Sequence, residues 1–484
     1  MVGFGTSGIR DLSPFPVSPD LARRLGLVLG ASHENGLSEM GAGASPTAGA
    51  PRTSSSRPQS PLPISIGFDG RRSGPMLKSA LASGALQAGA AVHDLGLCAT
   101  PTLALHAQKT GGWGVMVTAS HNPPEYNGLK VFFAGREVPD AWEREIEKQL
   151  EALQSRFSKN TVSWSSAGCL SDSSSSARAA HLSLALSLAP LALIRKTRPR
   201  VVVDCGNAAA CALMPDLMRA AGCEVLVLNG TAGEPYGRVL EPKKESLGAL
   251  SRAVRKSRAD LGIAHDGDAD RAIVLDERGR MAGLDTQLAM VVSDQLDLAR
   301  SKKPNAPLSI VSTVESGLSL REACAAAQAR LIITPVGSRY VAAEMRRAGA
   351  LFGGEPCGEY VFSRGALVPD GLACGLYFAG LFARRGKLSA LADAVPAYPM
   401  AREKIHCAGE RKQKAMALIE KDWPFFKPSR VDGLRSDLDD GWVLVRPSGT
   451  EPAIRITMEG RSKKELAARM EAVRAVVSRA VQKA

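Results

Sequence analysis

Short apolar runs ending in an aspartate or a small polar residue recur along this chain at wide intervals. Residues 63–69 read PISIGFD, 200–204 read RVVVD and 307–313 read PLSIVST. Runs of this length, rich in Val and Ile, suit strands buried on both faces of a sheet. Each is followed by small or polar residues and then by a helix-like stretch, at 74–90, 208–221 and 317–329. The pattern predicts strand, turn and helix three times over, and hence three related α/β domains built as weak internal repeats. Longer periodic segments frame them. In 140–157, Trp142, Ile146, Leu150 and Leu153 fall on one helical face behind Asp140 as N-cap. Near the C-terminus, Ser462 and Glu465 have capping-box spacing, and Leu466, Met470, Val473 and Val477 form an apolar stripe. Upstream, 442–445 and 454–459 read as strands flanking a loop, so the tail from about residue 401 is predicted to be a smaller α+β domain.

Two stretches break the pattern. In 41–61, 18 of 21 residues are Gly, Ala, Ser, Pro or Thr, and in 158–177 nine of twenty are Ser. Neither carries enough apolar surface to offset backbone ordering, so both are expected to be flexible. The first reads as an insertion within a domain, the second as an interdomain linker. Composition then sets limits. The 484 residues are 45% hydrophobic and 23% charged, ordinary for a globular protein with room for three or four domains. A net charge of +13 admits nucleic acid, acidic membranes or anionic small molecules as partners. Aromatics at 5%, with no interleaved basic and aromatic motif, argue against nucleic acid. Nine cysteines, an odd number with no C-x-x-C pair, argue against a disulfide framework or structural zinc and for a reducing cytoplasm. The apolar-looking stretch 182–194 contains two serines and Pro190 and is too short to span a bilayer, and no leader pattern opens the chain. No membrane partner is expected.

Five loops carry candidate chemistry. Residues 118–130, TASHNPPEYNGLK, follow the apolar run 114–117 and so lie at a strand end, where α/β proteins place ligands. His121 and Asn122 flank Ser120, and two prolines stiffen the turn beyond, so one hydroxyl can be presented rigidly with donors beside it. Alone, the segment reads equally well as a polar turn. In 265–271, HDGDADR, the carboxylates of Asp266, Asp268 and Asp270 can converge on one hard cation and leave positions open for a phosphate oxygen, which suits Mg²⁺. The spacing overlaps the start of an EF-hand loop, but Arg271 stands where that loop needs glycine, so calcium sensing is not expected. In 446–452, RPSGTEP, Arg446, the hydroxyls of Ser448 and Thr450 and the N–H groups around Gly449 make an anion cradle. In 353–360, GGEPCGEY, Glu355 and Glu359 can accept hydrogen bonds from vicinal sugar hydroxyls. In 5–10, GTSGIR, Arg10 lies beyond a glycine-rich turn. Each is weak singly; together they specify a phosphoserine, a divalent metal, sugar-hydroxyl acceptors and a phosphate clamp.

In this order, T-A-S-H-N-P-P-E-Y-N-G-x-K, D-G-D-A-D-R and R-P-S-G-T-E-P resemble the α-D-phosphohexomutase superfamily across essentially the whole chain. The resemblance implies three similar α/β/α domains with mixed sheets and a C-terminal α+β phosphate-binding domain around a central cleft. On this sequence they map to a phosphoserine domain (1–157, with the 41–61 insertion), the 158–177 linker, a metal-binding domain (178–300), a sugar-recognition domain (301–400) and a phosphate-binding domain (401–484). The implied reaction moves phosphate reversibly between O1 and O6 of a hexose, with hexose 1,6-bisphosphate as intermediate and activator and Mg²⁺ as cofactor. Carried over residue by residue, Ser120 is the phosphoserine, and Asp266, Asp268 and Asp270 hold Mg²⁺ with one of its oxygens. Arg10, His121, Asn122, Lys130 and Arg271 line the transferring phosphoryl group. Arg446, Ser448, Gly449 and Thr450 clamp the other phosphate. Glu355, with Cys357 and Glu359 in the same loop, meets the sugar, and Thr334, Val336 and Gly337 help close the site. A monomer or homodimer in the cytoplasm, acting on a small sugar phosphate, is implied.

One departure bears on the substrate. Much of the family reads G-E-x-S-G-H in the sugar loop, whereas this chain has Cys357 for the hydroxyl and Glu359 for the histidine. The G-E-P form and G-I-A-H-D-G-D-A-D-R look more like archaeal-type phosphoglucosamine mutases, so glucosamine phosphate is the expected substrate. Phosphomannomutase/phosphoglucomutase activity is the alternative. A non-catalytic sugar-phosphate sensor is the reading from another class, and the serine loop beside three aspartates argues against it.

Overall fold

The computed structural model describes residues 3–5, 8–32, 37, 61–153, 163–449 and 451–484. Residues 41–60 of the first low-complexity stretch, 158–162 of the second, and Thr450 lie outside them. The chain divides into two compact units, one of Met1–Met281 with Arg364–Ser389, the other of Ala282–Ser363 with Ala390–Ala484.

In the first unit, the strand order of the first sheet is Phe4–Gly5, Gly8–Leu12, Tyr126–Phe133, Trp113–Val117, Ile64–Phe68, Val92–Leu97 and Leu170–Asp172. Ile64–Phe68 runs parallel to both neighbours, and Trp113–Val117 pairs antiparallel with Tyr126–Phe133. The second sheet repeats this core in the order Glu224–Leu228, Arg200–Asp204, Leu261–Ala264, Ile273–Leu275. The first three are parallel and the last antiparallel. Each predicted apolar run is thus an interior strand with a parallel neighbour on either side. That explains its continuous hydrophobicity: Val201, Val202 and Val203 are all fully buried.

Two expectations change here. The 158–177 stretch is not simply a linker. Within its described part, Leu170–Asp172 adds an edge strand parallel to Val92–Leu97, and the helix Ser174–Ser187 begins. Backbone pairing, not side-chain burial, orders this strand, since all three of its residues are exposed. The helix expected at 208–221 is split into a 3-10 turn, Ala209–Ala212, and the helix Met214–Ala221. Pro215 has no N–H to continue a helix across the break. The helix Asp140–Leu153 buries Trp142, Ile146 and Leu150 as predicted, but starts at Asp140 itself. The almost wholly apolar helix Gly371–Arg385 also belongs to this unit, with Asp370 as its N-cap.

In the second unit, the third sheet has the order Arg330–Thr334, Ser309–Thr313, Phe352–Glu355, Glu359–Phe362, with the same pattern of directions as the second. The C-terminal sheet is antiparallel throughout, ordered Met400–His406, Ala453–Gly460, Gly441–Pro447, Leu434–Leu438. Against it lies the helix Lys463–Lys483, capped by Ser462 and buried along Leu466, Met470, Val473 and Val477. Functional residues fall at equivalent places in the three repeats. Ser120 follows Trp113–Val117, Asp266 follows Leu261–Ala264, and Glu355 ends Phe352–Glu355. In each sheet this is the strand whose far neighbour turns antiparallel.

Two carboxylates meet where the third sheet's helices join the C-terminal sheet. Asp285 accepts from Gly317 N at 3.1 Å, and Glu459 accepts from Leu318 N at 2.6 Å and Trp442 Nε1 at 2.7 Å. Burial, and then the Glu459 charge, push the Asp285 carboxyl up to about 7. The folded state therefore binds a proton more tightly than the unfolded chain, and stability falls as pH rises from about 4 through about 7. Asp285→Asn keeps an acceptor for Gly317 N and removes that loss. It is expected to stabilise the protein by about 1–3 kcal/mol at pH 8 and by little at pH 4, read from urea midpoints at the two pH values.

Among the described residues no single helix is long and apolar enough to cross a membrane. Ser174–Ser187 and Leu191–Thr197 pass that test only together, bent by 83°.

Candidate active site

Ser120 sits at the end of its strand in the left-handed region, with φ 52°, and is almost wholly buried. For a non-glycine residue this conformation costs about 1–3 kcal/mol and needs enforcing. Arg71 supplies the enforcement. Its Nε donates to Asp69 Oδ2 at 3.0 Å, Nη1 to the carbonyls of Pro123 (2.6 Å) and Tyr126 (2.9 Å), and Nη2 to those of Ser120 (2.7 Å) and Asn122 (2.8 Å). All five N–H groups of a buried guanidinium thus hold the turn that carries the serine. Asp69 also accepts from Thr118 Oγ1 at 2.6 Å, and Thr118 Oγ1 accepts from Ser120 N at 2.7 Å. Burial pushes the Asp69 carboxyl up despite Arg71.

The acidic loop is held in a similar way. Arg238 pairs with Asp204, at the end of Arg200–Asp204, and donates from Nη2 to His265 O at 2.6 Å. Thr100 N donates to Asp268 O at 2.9 Å, and Thr100 Oγ1 to Asp268 Oδ2 at 2.6 Å. The two loops meet at Gly267, where any Cβ would lie 2.2 Å from the carbonyl oxygen of Ser120. At Gly371 a Cβ would lie 2.3 Å from Arg271 O, so Gly371–Arg385 packs directly beneath the acidic loop. Behind that helix, His181 bridges Asp370 Oδ2 at 2.9 Å and Thr102 Oγ1 at 2.7 Å.

Ser120 Oγ then lies 2.8 Å from Asp266 Oδ2 and 3.3 Å from His121 Nδ1. One oxygen from each of Asp266, Asp268 and Asp270 lies within 4.8 Å of the others, all three residues being buried. Lys130 Nζ reaches Asp268 Oδ2 at 2.5 Å and Asp270 Oδ2 at 2.9 Å. Burial, with Asp270 and Asp268 beside it, holds the Asp266 carboxyl well above its ordinary value. Burial works the same way on Asp268, but Lys130 and the Thr100 hydrogen bond outweigh it and hold that carboxyl low. Burial would likewise lower the Lys130 ammonium, yet Asp268 and Asp270 keep it above its ordinary value. Burial and the charges of Arg271 and Arg10 lower His121 to about 3, so its ring is neutral at neutral pH. Asp268 Oδ1 is buried with no hydrogen-bond partner among the described residues. Three converging carboxylates, one with an oxygen unpartnered among the described residues, fit a divalent cation. Ser120, His121, Arg10, Lys130, Asp266, Asp268, Asp270 and Arg271 thus share one cluster, with Asn122 in the serine turn.

The remaining predicted residues lie in the second unit. Glu355 Oε2 accepts from Gly337 N at 3.2 Å, Val336 N donates to Asp432 Oδ2 at 3.1 Å, and Thr334 Oγ1 donates to Ser312 O at 3.3 Å. Glu359 is buried opposite Glu355 in register, and Cys357 is half-buried in the turn between them. Ser448 is buried and Gly449 exposed; Lys412 Nζ braces their loop through the carbonyls of Ser448 (2.7 Å) and Glu451 (2.6 Å). Sequence reasoning missed Arg71, Asp69, Arg238 and Lys412. Asp69 and Asp204 were visible as polar ends of apolar runs, but nothing along the chain pairs Arg71 with a turn some fifty residues later.

Repeated α/β sheets that bring a serine hydroxyl against a three-carboxylate loop, among Lys130, Arg10 and Arg271, define an enzyme of the phosphoryl-transfer class. Family models for phosphoglucomutase/phosphomannomutase match the chain in order: α/β/α domain I at 48–157, domain II at 181–279, domain III at 285–398 and the C-terminal domain at 403–476. A protein of Thermococcus kodakarensis named "Probable phosphoglucosamine mutase" is 35% identical over 99% of both chains. The "Phosphoglucosamine mutase" of Methanococcus maripaludis is 36% identical over 82% of this chain and 88% of its own. A crystal structure of a phosphoglucomutase/phosphomannomutase family protein from Burkholderia thailandensis superposes with a TM-score of 0.81 at 25% identity, covering 99% of this chain and 97% of the other. The chain belongs to the phosphoglucomutase/phosphomannomutase family and is a phosphohexomutase, an intramolecular phosphotransferase.

Proposed function

We propose that this enzyme interconverts glucosamine 6-phosphate and glucosamine 1-phosphate, with Ser120 as the phosphoryl carrier. The observation that carries the reading is the Ser120 hydroxyl, set 2.8 Å from Asp266 within the three-aspartate loop. The phosphorylated serine passes its phosphoryl group to the free sugar hydroxyl: the Oγ–P and sugar O–H bonds break, a sugar O–P bond forms to give a hexose 1,6-bisphosphate, and the proton ends on Ser120 Oγ. That bisphosphate, also the activator, turns end for end and returns its other phosphate to Ser120. Asp266, Asp268 and Asp270, with an oxygen of the phosphoserine, would hold Mg²⁺, which supplies neutralisation of phosphoryl charge. Lys130, Arg10 and Arg271 add positive charge at the same place, and neutral His121 and Asn122 position the group. Such a transfer needs alignment and charge compensation above all.

In the second unit, Glu355, beside Cys357, takes the sugar hydroxyls, and Arg446, Ser448, Gly449 and Thr450 hold the phosphate that is not reacting. Thr334, Val336 and Gly337 close over it. Glu359, opposite Glu355 on the adjacent strand, places a second carboxylate on the same face of the sheet, which complements an ammonium at C2 of glucosamine. Full-length relatives named phosphoglucosamine mutase support this choice of sugar. The setting is a cytoplasmic enzyme, monomer or homodimer.

A panel of glucosamine, glucose, mannose and N-acetylglucosamine 6-phosphates, with Mg²⁺ and catalytic hexose 1,6-bisphosphate, tests it. Glucosamine 6-phosphate is expected to lead glucose 6-phosphate by about tenfold or more in kcat/KM, with Glu359→Gln narrowing the ratio. A lead for mannose or glucose 6-phosphate assigns phosphomannomutase/phosphoglucomutase activity instead.

A further inference from the structure

Within the second unit Arg446 is already engaged. Its Nε and Nη2 both donate to Oε1 of Glu315, at 3.0 and 2.8 Å, and its Nη1 lies 3.9 Å from Oδ2 of Asp432. Asp432 is also tied to Val336 N. Glu315 is different: among the described residues Arg446 is the only hydrogen-bond partner of its side chain.

The turn carrying Glu315 is rigidly mounted. It follows Ser309–Thr313, and Arg435 grips the carbonyls on both sides of it, those of Val314 and Ser316. The Arg435 side chain is 5% exposed, and its guanidinium stacks on Trp442 at 4.3 Å. On the other flank, Ser316 Oγ donates to Ser312 Oγ at 2.5 Å, and Ser312 Oγ to Gly354 O at 2.6 Å, next to Glu355. The backbone holding Glu315 is fixed, while its carboxylate is spent on one guanidinium.

We propose that Glu315 is a competing anion for Arg446. It holds the guanidinium when no phosphate is bound, and the non-reacting phosphate of the sugar must displace it. A carboxylate and a phosphate seek the same N–H fork, and once the phosphate arrives the two anions repel. Glu315 therefore weakens the phosphate grip. A mutase whose bisphosphate must exchange ends needs such a grip, because one that never let go would stop the cycle. The inference rests on the reading that the 446–450 loop binds phosphate.

The test is inhibition by inorganic phosphate, with KM and kcat for the hexose phosphate, in the full-length enzyme. Glu315→Gln keeps the size of the side chain and removes its charge. It is expected to lower both the inhibition constant and KM about 5- to 10-fold and to lower kcat, as release becomes slow. Glu315→Asp, which keeps the charge but draws it back, is expected to fall between Glu315→Gln and the native enzyme. Arg446→Gln is expected to raise the inhibition constant about tenfold or more. An Arg446→Gln enzyme with unchanged inhibition overturns the phosphate reading of the loop. If Arg446→Gln weakens inhibition while the Glu315 variants leave it unchanged or weaken it too, the competing-anion role is overturned and the loop reading stands.

Discussion

Ser120→Ala is expected to reduce hexose-phosphate interconversion by about 10⁴-fold or more while leaving the melting temperature within about 2–4 °C. The two halves of this expectation have separate origins. The hydroxyl is the only atom of Ser120 that can carry a phosphoryl group, and among the described residues the neighbouring hydroxyl, Thr118 Oγ1, is committed to Asp69 and Ser120 N. The left-handed turn, by contrast, is held through the Ser120 carbonyl and its neighbours by Arg71, and alanine leaves those bonds in place. The loss to the fold is the two hydrogen bonds of Ser120 Oγ, to Asp266 and to His121, together worth about 1–2 kcal/mol. Steady-state assays with thermal melts check both halves. Turnover within about tenfold of the native enzyme contradicts the assignment.

The second large effect is expected at a residue that touches no substrate. Arg71→Lys replaces five directed N–H donors with three on a single nitrogen, so at least two of the five acceptors lose their partner. Each buried acceptor left unmatched costs about 1–3 kcal/mol, and the Asp69 carboxylate loses its directed Nε–H donor. A stability loss of about 3–5 kcal/mol is expected, with kcat about 10²- to 10³-fold lower because Ser120 no longer holds φ 52° against the acidic loop. Urea midpoints and kcat, measured in parallel under conditions where the variant stays folded, check it. A stable variant with kcat within threefold of native shows that the turn keeps its shape without Arg71.

Much of this architecture was legible along the chain because burial on both sheet faces writes itself as an unbroken apolar run. Residues 200–204 appear as the strand Arg200–Asp204, and 63–69 and 307–313 as strands two residues shorter. The aspartates 266, 268 and 270 were legible because alternation along a turn suffices to bring carboxylates together. What stayed hidden depends on distant partners. Leu170–Asp172 joins a sheet through backbone bonds and the Ser171 hydroxyl, with no buried apolar residue to mark it. Arg71 and Ser120, Arg238 and His265, and Glu315 and Arg446 meet only because the fold returns strand ends to one side. Composition could not mark the helix Gly371–Arg385 as the floor of the acidic loop either. Its apolar residues say that it is buried, and only the close approach of Gly371 to Arg271 O says against what.

Whether Ser120 carries the phosphoryl group is decided by peptide mass spectrometry of the enzyme after brief exposure to hexose 1,6-bisphosphate and Mg²⁺. Phosphate is expected on Ser120 alone, discharged on adding hexose 6-phosphate as an equal amount of bisphosphate appears. Phosphate on another residue, or continued turnover with Ser120 never phosphorylated, would contradict the assignment.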